Sequence, residues 1–145
     1  MFYNVTITGD NVLLTGAITT GMRVTGTLAL NNAGTTNGTK LNENHRFFIN
    51  RMTTNGSLGN LARLYSRTVS TAAILEKGSG KIDIDYLNLK DVHARGGAPF
   101  FAKSNVTNGG NNTGWQFSNN GYKQSGSDAF MPLVSMLTLY CIIRP

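Results

Sequence analysis

Apolar residues recur along the chain at every second position, in short bursts separated by polar corners. Val5 with Ile7, Val12 with Leu14, Leu28 with Leu30, Phe47 with Ile49, Ile82 with Ile84 and Leu87 with Leu89 each place two apolar side chains on one face of an extended strand. In the last two pairs the residue between is polar, so the opposite face points to water. Ile84 and Leu87 lie an odd number of residues apart, and a continuous strand would send them to opposite faces. A bend or bulge at Asp85-Tyr86 must reset the phase.

The breaks between bursts are as informative. Gly9-Asp10-Asn11 closes the first strand, and Gly16, Gly21 and Gly26 punctuate the next section at intervals of five. Residues 31–38, NNAGTTNG, form a loop by composition. The stretch from Leu41 to Arg67 is less regular: Phe47 with Ile49 fits a strand, and Leu61 with Leu64 fits either a strand or a helical turn. It reads as an insertion or an irregular rung, and Ala73 with Leu75 rejoins the pattern. No window longer than about ten residues has a helical apolar period.

Composition sharpens this into an all-β expectation. Gly, Asn and Thr supply about a third of the 145 residues, and only 14% are charged. Gly and Asn suit tight corners, and Thr suits strands. Short strands joined by corners wind into a solenoid of small parallel sheets. With rungs of roughly 20–25 residues, about six fit in one domain.

One segment resembles a known group. Ser79-Gly80, Ile82, Ile84, Asp85-Tyr86-Leu87, Leu89, Ala94, Gly96-Gly97, Phe100-Phe101, the Asn- and Gly-rich run from Asn105 to Trp115, and Phe117 are similar to the closing rungs of right-handed parallel β-helix repeats. Such repeats occur in bacterial surface proteins and in bacteriophage tail or virion proteins. The match covers roughly a third of the chain, from Leu75 to Phe117, and departs from the pattern at Pro99-Phe100-Phe101. The resemblance implies a single-domain parallel β-helix over residues 1–117 and a virion or surface setting. It implies no activity.

After Phe117, residues 118–128 read as a linker or loop, and 129–145 as an apolar tail interrupted by Pro132. The tail is shorter than the roughly 20 residues of a membrane span. Its residues Leu133, Val134, Leu137, Leu139, Ile142 and Ile143 either cap the coil internally or form a subunit interface. Phe2 and Val5, in a first rung with nothing below it, argue for association with further copies, a trimer being favoured. Cys141 inside the tail reads as a buried thiol, and no secretory signal precedes the first strand.

Charge adds one candidate surface. The net charge is +6, and Arg46, Arg51, Arg63 and Arg67 crowd the irregular middle as possible contacts to an anionic partner. No nucleic-acid signature accompanies them, so nucleic acid is not expected. Phe100, Phe101 and Trp115 offer an alternative, a sugar-stacking face, against the reading in which Trp115 plugs the coil. Asp83 and Asp85, with Asp91, His93 and Arg95 following, are the only acidic constellation. Neither a nucleophile motif nor metal-ligand spacing occurs, and no enzyme activity, cofactor or metal is expected.

The expected function is therefore structural: a bacteriophage virion component, such as a capsid decoration, fibre or tail protein, acting through homo-oligomeric assembly. The alternative is a bacterial cell-surface or extracellular glycan-binding β-helix module used in adhesion, and a third reading is a polysaccharide-acting enzyme.

Overall fold

The computed structural model describes residues 1–16, 21–43 and 45–118. The linker from residue 119, the tail 129–145 and its six interface candidates, Leu133, Val134, Leu137, Leu139, Ile142 and Ile143, lie outside the described residues, as does Cys141. The described chain is all-β, with thirteen strands and no helix.

Every strand pairing is parallel, and the strands form three sheets. The first runs in the order β1 (Val5–Thr8), β3 (Met22–Asn31), β5 (Arg46–Thr54), β7 (Ala73–Glu76), β10 (Val92–Arg95). The second runs β2 (Val12–Leu14), β4 (Thr39–Leu41), β6 (Ala62–Ser66), β9 (Leu87–Lys90), β12 (Thr107–Asn108). The third contains β8 (Ile82–Ile84), β11 (Phe100–Ala102) and β13 (Trp115–Phe117). Neighbours within a sheet are never neighbours in the chain. The sheets therefore grow by crossover and not by hairpins.

Alternation decides what faces inward. In β6, Ala62, Leu64 and Ser66 are buried while Arg63 and Tyr65 are half-buried on the other face. Leu30, Leu41, Leu64, Leu75, Leu87, Leu89, Val92 and Phe100 are wholly buried, and each such side chain contributes about 1.5–3 kcal/mol by leaving water. They stack in register across strands: Met22, Phe47 and Leu75 form one buried row, and Ile82, Phe100 and Trp115 another. In the second row the Trp115 ring meets Phe100 edge-on, with centroids 5.1 Å apart.

The reset of phase at Asp85-Tyr86 is realised as a corner. β8 ends at Ile84, Tyr86 takes a left-handed φ of 52°, and β9 begins at Leu87, so Ile84 and Leu87 are both buried. The positive φ is held from both sides. The Tyr86 N–H donates to Asp85 Oδ1, and the Tyr86 carbonyl accepts from Ala62 N–H. Asp91 repeats the device between β9 and β10, with φ 56°.

The stretch from Leu41 to Arg67 is more regular than its composition suggests. It holds the nine-residue β5 and the five-residue β6, both central in their sheets, so Leu64 belongs to a strand and not to a helical turn. The pattern is blurred because Phe47 and Phe48 are both large and apolar, although only Phe47 points into the core. Gly26 does not end a strand. It lies inside β3, where the register shifts between Val24 and Thr27 and where a Cβ would strike Tyr3 O.

Candidate functional site

Two kinds of surface can meet a partner, and both follow from the sheet order. The first is the amino-side edge. β1 and β2 are terminal in their sheets, and among the described residues no strand pairs with their outer sides. The residues leading into β1 are tied to β3 on one side only: Phe2 N–H donates to Arg23 O (2.8 Å) and Phe2 O accepts from Thr25 N–H (2.9 Å). Phe2 is 54% exposed and Leu13 41%, with Met1 and Tyr3 more exposed still. Val5, the other expected contact residue, is half-buried and packs against the core. Unpaired strand edge beside exposed apolar side chains is the surface that soluble proteins normally avoid or use.

The opposite edge of the first sheet, at β10, is covered. Beyond β10 the chain returns over residues 109–114 and satisfies that strand's outer donors. Val92 N–H donates to Asn112 Oδ1 (2.9 Å) and Ala94 N–H to Thr113 O (2.8 Å). The Trp115 indole N–H closes the arrangement on Val92 O at 2.9 Å. Asn112 is itself held by its amide group, which donates to Leu89 O and Asn108 Oδ1. The Asn- and Gly-rich run is thus an edge cover.

The second kind of surface is cationic, and it does not follow the expected arginine cluster. Arg46 is clamped by Glu76 through two bonds of 2.6 and 2.7 Å, and lies over the Phe48 ring at 5.1 Å. Arg67 donates to Glu43 at 2.8 Å, and Arg63 to Thr36 O at 2.6 Å. Arg51 is exposed. The four are spread over β5, β6 and the turn after it, and three of them already have protein partners.

Among the described residues, every acidic side chain is engaged. Asp10 accepts from the Asn37 side chain and from the N–H groups of Asn11, Asn37 and Gly38. Burial pushes its pKa up, but these hydrogen bonds outweigh it and bring the value from 3.8 to about 2. Glu43 is also held below the usual carboxylate range, first by its own backbone N–H and then by Arg67 and Thr68, against burial. Asp83 is opposed by some burial and lowered by Lys103 and Lys81, each 3.3 Å away. Asp85 accepts from Asn105 N–H and its side-chain amide, and Asp91 from Ser70 N–H and the Asn111 amide. Three carboxylates thus clip a corner to an Asn 20 or more residues further along: Asp10 to Asn37, Asp85 to Asn105 and Asp91 to Asn111.

That bonding removes the acidic constellation as a converging pair, since Asp83 faces lysines on the strand and Asp85 is consumed in the corner. Among the described residues no three His, Cys, Asp or Glu side chains group as metal ligands would. The sugar-stacking face is corrected too. Phe100 is wholly buried and Trp115 is 8% exposed, so neither ring presents a face to a ligand, and only Phe101 lies on the outer side. The sequence reading missed the outward rows that span strands, Arg23 beside Phe48 and Lys40 beside Tyr65 and Lys90. Their signal was the constant interval of 25 residues between them.

No protein-family model matches the chain, and neither a curated protein nor a solved structure matches it.

Proposed function

We propose that the chain is a structural building block that works by self-assembly, and that its setting is a bacteriophage virion as a capsid decoration, fibre or tail protein. The observation that carries the assembly reading is the contrast between the covered β10 edge and the bare β1 and β2 edges with Phe2 and Leu13 exposed. A second copy laid on that side supplies both backbone partners and apolar cover. A trimer is the favoured stoichiometry, with the tail 129–145 as a further contact. The virion setting rests on the resemblance of residues 75–117 to the β-helix repeats.

The finer architecture belongs to the same proposal. We infer that the three sheets are the walls of one parallel coil, each turn lying on the turn before. Register partners are separated by as few as 15 residues, at Phe100 and Trp115, and as many as 28, at Arg46 and Ile74. Such intervals suit one circuit of a small three-walled coil. The five-stranded sheets set five turns, and β13 begins another. Stacked turns joined by Asp–Asn clips give a stiff rod suited to a particle component.

Light scattering behind a sizing column tests the assembly reading: a discrete oligomer supports it, and a monomer at every concentration and salt level rejects it. Antibody labelling of purified particles tests the setting, which falls if the chain is absent from them.

A further inference from the structure

Three Asn-Gly pairs lie among the described residues: Asn37-Gly38, Asn55-Gly56 and Asn108-Gly109. A fourth, Asn120-Gly121, lies outside them. Such a pair can react with itself. The glycine backbone nitrogen attacks the asparagine Cγ and bonds to it, the bond from Cγ to Nδ2 breaks, and the displaced nitrogen leaves as ammonia with the glycine's proton. Water then opens the cyclic imide at one of its two carbonyls, giving aspartate or isoaspartate. Glycine favours the reaction because no Cβ shields its nitrogen. By sequence the three pairs are equivalent, but their hydrogen bonds are not.

Two of the pairs are locked. Gly38 N–H donates to Asp10 Oδ1 at 2.6 Å, and the Asn37 side-chain amide donates to Asp10 Oδ2 at 3.0 Å. One carboxylate thus holds both reacting groups, and its negative charge opposes loss of the Gly38 proton. With a pKa of about 2, Asp10 is too weak a base to take that proton itself. Gly109 N–H donates to Leu89 O at 2.7 Å, while Asn108 Oδ1 accepts from Gly110 N–H at 3.0 Å and from the Asn112 amide at 2.7 Å. In both pairs the nitrogen must give up a hydrogen bond, and the side chain must be freed, before the two can meet.

Asn55-Gly56 is built otherwise. Gly56 N–H has no hydrogen bond among the described residues. The Asn55 side chain is held by one neutral bond, in which Oδ1 accepts from Ala33 N–H at 3.0 Å, and its Nδ2 is free to depart. Exposure does not separate the pairs, since Asn37 and Asn55 are both exposed. We propose that Asn55 is a spontaneous modification site of the folded chain, converting through the imide to aspartate and isoaspartate while Asn37 and Asn108 persist. The corner it occupies is closely packed. Asn55 N–H donates to Leu30 O, and Gly56 lies so near Tyr86 O that a Cβ there would collide. Isoaspartate routes the main chain through the former side chain and adds one backbone atom. The corner between β5 and β6 then has to release one of these contacts, so the converted chain melts below the parent.

Peptide mapping by mass spectrometry tests this, with the purified full chain held in mildly alkaline buffer, folded and in urea. The mass gain of amide to acid marks conversion, labelling by a protein isoaspartyl methyltransferase marks isoaspartate, and the Asn120 peptide is counted separately. In urea the three described pairs should convert at similar rates. In the folded chain Asn55 should keep a rate near its urea value, with Asn37 and Asn108 slower by about tenfold or more, the factor that one or two retained hydrogen bonds impose. Asp10→Ala should raise the Asn37 rate toward that of Asn55 and leave Asn108 slow. Asp10→Asn, which keeps the shape and removes the charge, replaces it where the alanine variant does not fold. Folded-state conversion of Asn37 or Asn108 as fast as Asn55, or an Asn55 that converts in urea but persists in the folded chain, would overturn the assignment.

Discussion

The two edges of the first sheet solve the same problem differently. Past β10, residues 109–114 lie along the open edge, Asn112 and Thr113 satisfy its N–H groups, and Trp115 seals the corner against Phe100 and Val92 O. At the other edge, no strand among the described residues pairs with the outer sides of the short β1 and β2, and Phe2, ahead of β1, and Leu13, on β2, are partly exposed. The β10 edge is finished within the chain, and we propose that a second copy finishes the other. Stability should therefore be concentrated at the covered end and association at the bare one.

Substitutions can separate those two roles, and the largest effect belongs at the covered end. Trp115→Ala empties a buried site beside Phe100 and removes the bond to Val92 O, and chemical denaturation should show a loss of about 3–5 kcal/mol. A small loss would mean that the end is not sealed as described.

A matched pair of glycines comes next. Gly114 has φ +75° and an added Cβ would strike Ala94 O, whereas Gly9, φ +97°, faces open space. Gly114→Ala should cost about 3 kcal/mol and Gly9→Ala about 1 kcal/mol, the second reflecting only the left-handed backbone. Equal costs in thermal denaturation would remove the distinction between a packed corner and a free one.

A pH dependence sharpens the picture at the amino side, where Asp10 clips the corner before β2 to residues 37 and 38. Its folded pKa of about 2 lies below the ordinary 3.8, so the folded state binds fewer protons than the unfolded state. The stabilisation is complete above the ordinary value and disappears as pH falls from about 4 toward 2. Asp10→Asn should melt below the parent at pH 7, and the gap should close through that window. A gap independent of pH would show that charge is not what holds the clip.

The smallest effect on folding belongs to the exposed apolar pair. Phe2→Ser and Leu13→Ser should change the stability of the folded monomer by no more than about 1 kcal/mol, because both side chains are partly exposed and neither belongs to the buried core. Their consequence appears in association.

Strand positions were legible where side-chain alternation is strict. The corner at Asp85-Tyr86 follows from one odd interval between Ile84 and Leu87, and it forms where that interval demands. Burial of Trp115 was foreseeable as one of two readings, because an indole in an Asn-rich corner needs an acceptor and a packing partner. What the linear chain concealed is register. Phe100 and Trp115 look like neighbours on an outer face until the 15-residue offset sets them side by side in a buried row. The four arginines look like a cluster in sequence, yet the strands disperse them and acids or carbonyls occupy three of them. The Lys40–Tyr65–Lys90 row is the converse, with residues remote in sequence brought together by pairing alone. Alternation within a strand is a local property, whereas rows across strands need the length of every corner.

Whether the bare edge is an assembly surface is decided by the native mass of the purified chain measured beside that of the Phe2→Ser, Leu13→Ser double variant. The parent is expected to be a discrete oligomer, with a trimer favoured, and the double variant a folded monomer with a nearly unchanged melting temperature. A parent that stays monomeric across concentration and salt, or a double variant that keeps the parent's mass, would contradict it.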